Sequence, residues 1–117
     1  MPMRVADDRI TNEWPSYSRV QQMALIGDCV RAAIQAKRRE DYDALRAAFR
    51  GAIERFLLTF ADRKWIDRSI SPGGLKEPAI ACAVSCDALI GENEYHTDLD
   101  SLDRYFMQFA IAARAGR

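Results

Sequence analysis

Cys82 and Cys86 stand four residues apart, which places both thiols on one face of a helix. With His96 and Asp98 close behind in sequence, four groups able to bind zinc fall within a short span. Their spacing matches no zinc-binding pattern, and both cysteines lie in the most apolar segment of the chain, where a thiol acts as a small hydrophobe. His96 is the single histidine and the one imidazole base for a nucleophilic pair. Glu94 and Asp98 flank it and could orient its ring, but no serine or cysteine is placed opposite. The run DLDSLD, with Asp98, Asp100 and Asp103, suggests calcium. An EF-hand loop needs glycine at its sixth position and glutamate at its twelfth; here Asp103 and Phe109 stand there. SPGGLKE holds a glycine pair and a lysine without phosphate-loop spacing, and reads as a turn. The expectation is a protein without catalytic residues, metal or cofactor, and not an enzyme.

Binding chemistry is better represented. No lysine or arginine occurs from residue 77 to residue 103, while Glu77, Asp87, Glu92, Glu94, Asp98, Asp100 and Asp103 put seven acids there. Some must cap helices. Glu92, Glu94, Asp98, Asp100 and Asp103 form a candidate acidic edge suited to a basic surface on a partner, since opposite fields speed association. A second candidate surface is ADRKWIDRSI, where Arg63, Trp65 and Arg68 combine an aromatic anchor with arginines, residue types enriched at binding hot spots. Trp65 also fits the last core position of a long helix. Lys37, Arg38 and Arg39 could serve nucleic acid as a basic joint, but a structural use competes. They close one helix where cations suit the dipole, and Glu40, Asp41 and Asp43 open the next.

Four helices must position these groups. Residues 41–66 carry the strongest amphipathic signal, with Tyr42, Leu45, Phe49, Ala52 and Phe56 at alternating steps of three and four, widened by Ile53, Leu57 and Phe60. Residues 16–38 repeat that spacing through Val20, Met23, Gly27, Val30 and Ile34. Gly27 costs about 1 kcal/mol against alanine inside a helix, which close approach by another helix would offset. Pro72, Gly73 and Gly74 break the chain. Residues 78–90 are apolar nearly all round and rich in alanine, the pattern of a central buried helix, with Gly91 expected to end it in a left-handed conformation. Residues 98–115 form the last helix, capped by Thr97 or Asp98. Residues 1–14 read as a loose N-terminal arm whose Trp14 tucks against the body. The fold expectation is an all-α bundle of four main helices in a single domain from residue 15 to residue 117.

Bulk properties agree with a small cytoplasmic protein. The 117 residues are 49% hydrophobic, enough for one ordinary core, and 17 basic residues balance 17 acidic ones. A formal charge of zero gives no overall attraction to nucleic acid or anionic membrane. No signal peptide or membrane span is read; the longest apolar run covers residues 79–84, far short of the ~18–20 a span needs. Three cysteines without a secretory signal read as free thiols.

Residues 40–56, EDYDALRAAFRGAIERF, resemble the second helix of a tetratricopeptide repeat, with Tyr42, Phe49 and Ala52 at matching intervals. No unit of ~34 residues recurs, so no family is assigned. The functional expectation is a stand-alone module that binds another protein stoichiometrically. Its favoured form is an inhibitor of a host protein carried by a phage or mobile element, of the anti-CRISPR type, directed at a basic surface such as that of a nucleic-acid enzyme. A DNA- or RNA-binding regulator using Lys37–Arg39 and a small cytosolic adaptor or secretion chaperone are the alternatives. A monomer is favoured over a homodimer, and no membrane partner is expected.

Overall fold

A computed structural model describes the backbone of residues 5–116 and the side chains of residues 9–116. The described chain is all-α: α1 (Val5–Glu13), a 3-10 turn (Trp14–Ser16), α2 (Arg19–Arg38), α3 (Tyr42–Phe60), the short α4 (Arg63–Ile66), α5 (Lys76–Leu89) and α6 (Leu99–Arg114). Four of these are the expected main helices. Residues 1–4 of the expected arm lie outside the described residues. The rest of that arm is α1 and the turn, and Trp14 is buried in the core, as its tuck against the body required.

Local chemistry accounts for the helix ends. The helix expected from residue 16 begins at Arg19, and Ser18 caps it: its hydroxyl accepts from the Gln21 amide at 3.0 Å while the Gln21 side chain accepts from the Ser18 amide at 2.8 Å. This reciprocal pair satisfies two amides the first turn leaves orphaned. Pro15 sits in the preceding 3-10 turn. Asp41 caps α3 by accepting from the Ala44 amide, and Glu40 between the helices takes a left-handed φ of 57°. The 37–43 joint therefore has the capping role expected of it. Asp98 caps α6.

The long amphipathic helix stops at Phe60, short of residue 66. Asp62 turns the chain into an extended conformation and caps α4 through the Lys64 amide at 2.9 Å. That turn swings Trp65 back under α2. Tyr42 and Leu57, read as part of the buried stripe, lie on the exposed flank of α3, and burial concentrates on Leu45, Ala52, Phe56 and Thr59.

The central element is α2, which packs against α3 on one side and α6 on the other. Met23, Ile26, Val30, Ala33 and Ile34 on it are all but inaccessible. At roughly 1.5–3 kcal/mol for each large aliphatic side chain, this helix carries much of the burial energy. The expectation that residues 78–90 form the innermost helix is corrected. In α5, Pro78, Ala81, Ser85, Ala88 and Leu89 are buried, but Ala79, Ile80 and Ala83 face outward. Alanine is common on both sides of a protein surface, so a run of alanines does not demand burial all round.

Gly27 has the role its position implied. A Cβ there would stand 2.8 Å from the Phe106 Cβ and 3.2 Å from the near edge of its ring, so α2 and α6 touch at this point. Gly27→Ala is expected to destabilise the protein by about 1–2 kcal/mol despite alanine's better helix propensity, because the clash is with a Cβ that cannot rotate away. Chemical denaturation measures this, and a gain in stability would show that the two helices part at little cost. Ser85 makes the opposite case. Its hydroxyl is buried on α5 without a hydrogen-bond partner among the described residues. Ser85→Ala is expected to raise stability by about 1 kcal/mol, seen as a Tm increase of several degrees; a drop would mean the hydroxyl is bonded in solution.

Candidate functional site

Both α5 and α6 rest on α2, and α5 also rests on α3, but the two do not pack closely on each other. Between them runs a groove of about 490 Å³. Ala81 and Leu102, both buried, form its floor. Ile80, Val84 and Tyr105 form its sides, and Ile80 stays 53% exposed at the rim, a large aliphatic side chain without cover. Thr97 and Ser101 line the end beside the α5–α6 loop; Gly73 and Lys76 line the other.

The sequence makes this groove through residue size. Alanine at 81 leaves room that a leucine would fill. Tyr105 meets Phe106 and Phe109 edge to face, with centroids 5.0 and 5.4 Å away. Its hydroxyl donates to Glu77 on α5 at 3.0 Å, a tie across the groove. Burial, together with the adjacent Glu77 carboxylate, pushes the Tyr105 hydroxyl well above its ordinary range, so it stays protonated and a donor.

Two of the five acids of the acidic edge are neutralised from within. Arg31 on α2 grips Asp103 with two hydrogen bonds of 3.0 Å, and Arg38 pairs with Asp100. The Arg38 hydrogen bond and charge hold Asp100 below the usual carboxylate range, and the bond to Asp103 raises Arg31 in turn. Asp98 is spent on its cap. Only Glu92 and Glu94 of the five are exposed without a salt bridge among the described residues or a helix to cap. They sit on the loop between α5 and α6, whose shape is held by Asp87 accepting from the Glu94 and Tyr95 amides at 2.7 and 3.0 Å. Asn93 and His96 take the left-handed conformations in this loop. Gly91 does not; a side chain there would stand 3.0 Å from the Asp87 backbone, so closeness and not backbone sign requires glycine.

The basic joint is equally occupied. Lys37 donates to the Leu89 carbonyl at the end of α5, Arg38 holds Asp100, and Arg39 lies 3.6 Å from Asp41. At the Trp65 end, Arg63 and Arg68 are exposed, as are Ile66 and Ile70. Of the two roles open to Trp65, contact anchor or core position, its burial matches the core: it is 4% accessible. Its ring nitrogen donates to Gln22 at 2.8 Å, and the Arg19 guanidinium lies 5.5 Å from its ring centroid. The structure thus separates Trp65 from Arg63 and Arg68, and separates Glu92 and Glu94 from the paired aspartates.

Candidate chemistry elsewhere is sparse. The Cys82 and Cys86 sulfurs are 4.0 Å apart, and burial, reinforced by Cys86, pushes the Cys82 thiol up to about 11, which leaves it protonated. Cys29 lies apart, against Gly51 of α3. His96 is exposed, and among the described residues no three potential ligands gather around a metal position. The groove residues Ile80, Ala81, Val84, Leu102 and Tyr105 read in the sequence as helix packing and not as site candidates. The available signal was an α5 with more apolar surface than one flanking helix can cover.

Fold and site together define a small all-α protein with an uncovered apolar groove. Comparison with protein-family models, with curated proteins and with solved structures finds no match.

Proposed function

We propose that the protein is a stoichiometric protein-binding module, a binder and not a catalyst, whose contact surface is the groove between α5 and α6. The observation that carries this reading is the groove itself, apolar on floor and sides, open to solvent, with Ile80 exposed at its edge. Grooves of this size and lining take apolar side chains of a ligand or partner. An inhibitor carried by a phage or mobile element, of the anti-CRISPR type, is our narrower proposal within that class. Glu92 and Glu94, the acids left to meet a basic target, support it. A cytoplasmic location belongs to the same proposal, supported by three cysteines that form no disulfide among the described residues; among those residues no helix is long and apolar enough to cross a membrane. The nucleic-acid reading draws no support from Lys37, Arg38 and Arg39, whose cationic groups all face partners within the chain.

Ile80→Asp tests the proposal against Ile111→Asp, a change at an isoleucine of α6 that is equally exposed, at 54%. With the partner recovered by affinity capture, Ile80→Asp is expected to weaken binding at least about tenfold, the scale of a lost interface anchor, while Ile111→Asp leaves it unchanged. Retention of the same partner at the same affinity by both variants would remove the groove from the contact surface.

A further inference from the structure

From the shape and charge around the groove we infer that its occupant is an amphipathic helix of a partner protein, with basic residues flanking its apolar face where it lies beside the α5–α6 loop. The inference rests on the protein-binding reading above and specifies the partner's chemistry.

Shape comes first. The groove follows α5 from Lys76 to Val84. At 1.5 Å per residue this is roughly 12 Å, about two turns of a helix lying alongside, and such a helix offers apolar anchors at i, i+4 and i+7. A second copy of this chain fits poorly. A two-fold contact centred here would set one concave surface against another and enclose a void, which close packing disfavours.

Charge then selects among helices. Glu92 and Glu94 stand on the loop at one end with no salt bridge among the described residues, and Asp87 and Asp98 nearby accept backbone amides without any cation. Glu77 adds a carboxylate at the other end, bound by a neutral tyrosine. Asp100 and Asp103 are already neutralised by Arg38 and Arg31. The cations near the groove are Lys76, at the end away from the loop, with Arg68 beside Gly74 there; Arg104, which donates to Ser101 at the groove edge; and Lys37, one cation at the loop end, which donates to the Leu89 carbonyl. Carboxylates prevail, most of all at the loop end. A helix carrying lysine or arginine there gains from this field, and one carrying glutamate is repelled.

The test uses three synthetic helical peptides of about 18 residues with the same leucine positions at i, i+4 and i+7: one flanked by lysines, one by glutamates, one by glutamines. Fluorescence anisotropy measures their binding to the full chain, to Ile80→Asp and to the double variant Glu92→Gln/Glu94→Gln. Asp98 is left intact because it caps α6, and thermal melts confirm that the variants, all at exposed positions, are folded. The lysine peptide is expected to bind about tenfold tighter than the glutamate peptide at low salt, with the glutamine peptide between them. This preference is expected to shrink towards unity at ~0.5 M salt, where the Debye length is a few ångströms, and to fall in the double variant. Equal binding of all three peptides, lost in Ile80→Asp, would overturn the charge inference and leave the groove reading standing. So would a preference for lysine that the double variant retains in full. Binding by no peptide, or binding that Ile80→Asp does not weaken, would overturn both.

Discussion

Gln22→Leu is expected to lower the unfolding free energy by about 3–5 kcal/mol, a large part of the 5–15 kcal/mol a small domain holds in reserve. Gln22 lies in α2 with no accessible surface. Its amide nitrogen donates to the Trp14 carbonyl and to Asp62, each at 2.8 Å, and its amide oxygen accepts from the Trp65 ring nitrogen at 2.8 Å. One side chain thus joins the N-terminal turn, the start of α4 and the aromatic ring behind it. Leucine is close in volume, so little cavity forms and the loss reports hydrogen bonding. The Trp65 ring nitrogen would be left unpaired, at about 1–3 kcal/mol, and two further groups would each lose a hydrogen bond of about 0.5–1.5 kcal/mol; the Trp14 carbonyl would keep the Tyr17 amide, 3.1 Å away. Asp62 would keep Lys64, 3.0 Å away. Burial alone would raise the Asp62 carboxyl; the hydrogen bonds from Gln22 and Lys64 outweigh it and hold the group below its ordinary value. Urea unfolding should show a lower midpoint at unchanged slope. A loss under about 1 kcal/mol would mean that the clasp contributes geometry without stability.

Trp65→Ala should cost a similar amount, about 3–5 kcal/mol, through the cavity it opens and the Gln22 oxygen it leaves unpaired. Trp65→Phe should fall between, since it keeps most of the ring and loses the donor. The double change with Gln22→Leu should cost less than the sum of the two, because both remove the same hydrogen bond. This series also decides between two roles for the residue. An interior tryptophan lowers the unfolding midpoint when removed. A contact anchor would weaken partner binding and leave the midpoint in place, and that result would overturn the interior assignment.

Much of the architecture was legible from spacing of three and four residues. The four main helices, expected at 16–38, 41–66, 78–90 and 98–115 and found at 19–38, 42–60, 76–89 and 99–114, follow with the joint at 37–43 and the break at 72–74 from periodicity, capping residues and glycine–proline chemistry. Gly27 was readable as a close crossing because a glycine inside a helix needs compensation, although Phe106 as the touching residue was not. Each of these rules acts over one or two turns, and the chain supplies both partners locally.

The site was not legible, because its parts lie far apart in the chain. Arg31 and Asp103 are 72 residues apart, Arg38 and Asp100 are 62, and Gln22 and Trp65 are 43. A basic stretch and an acidic stretch that each looked available to a partner neutralise one another across the α2–α6 contact. Trp65, beside arginines in sequence, turns inward because Asp62 ends the long helix three residues earlier. The alanine-rich helix lies at the edge, since α2 can bury neighbours on two sides and still leave part of α5 uncovered. Sequence by itself determined the four main helices and the joint between the first two, since those energies are local, while several helix ends differ from the sequence expectation by two to six residues. Only the tertiary structure decided which charges remain free, which tryptophan is inside and where an apolar groove is left open, because these depend on which distant surfaces meet.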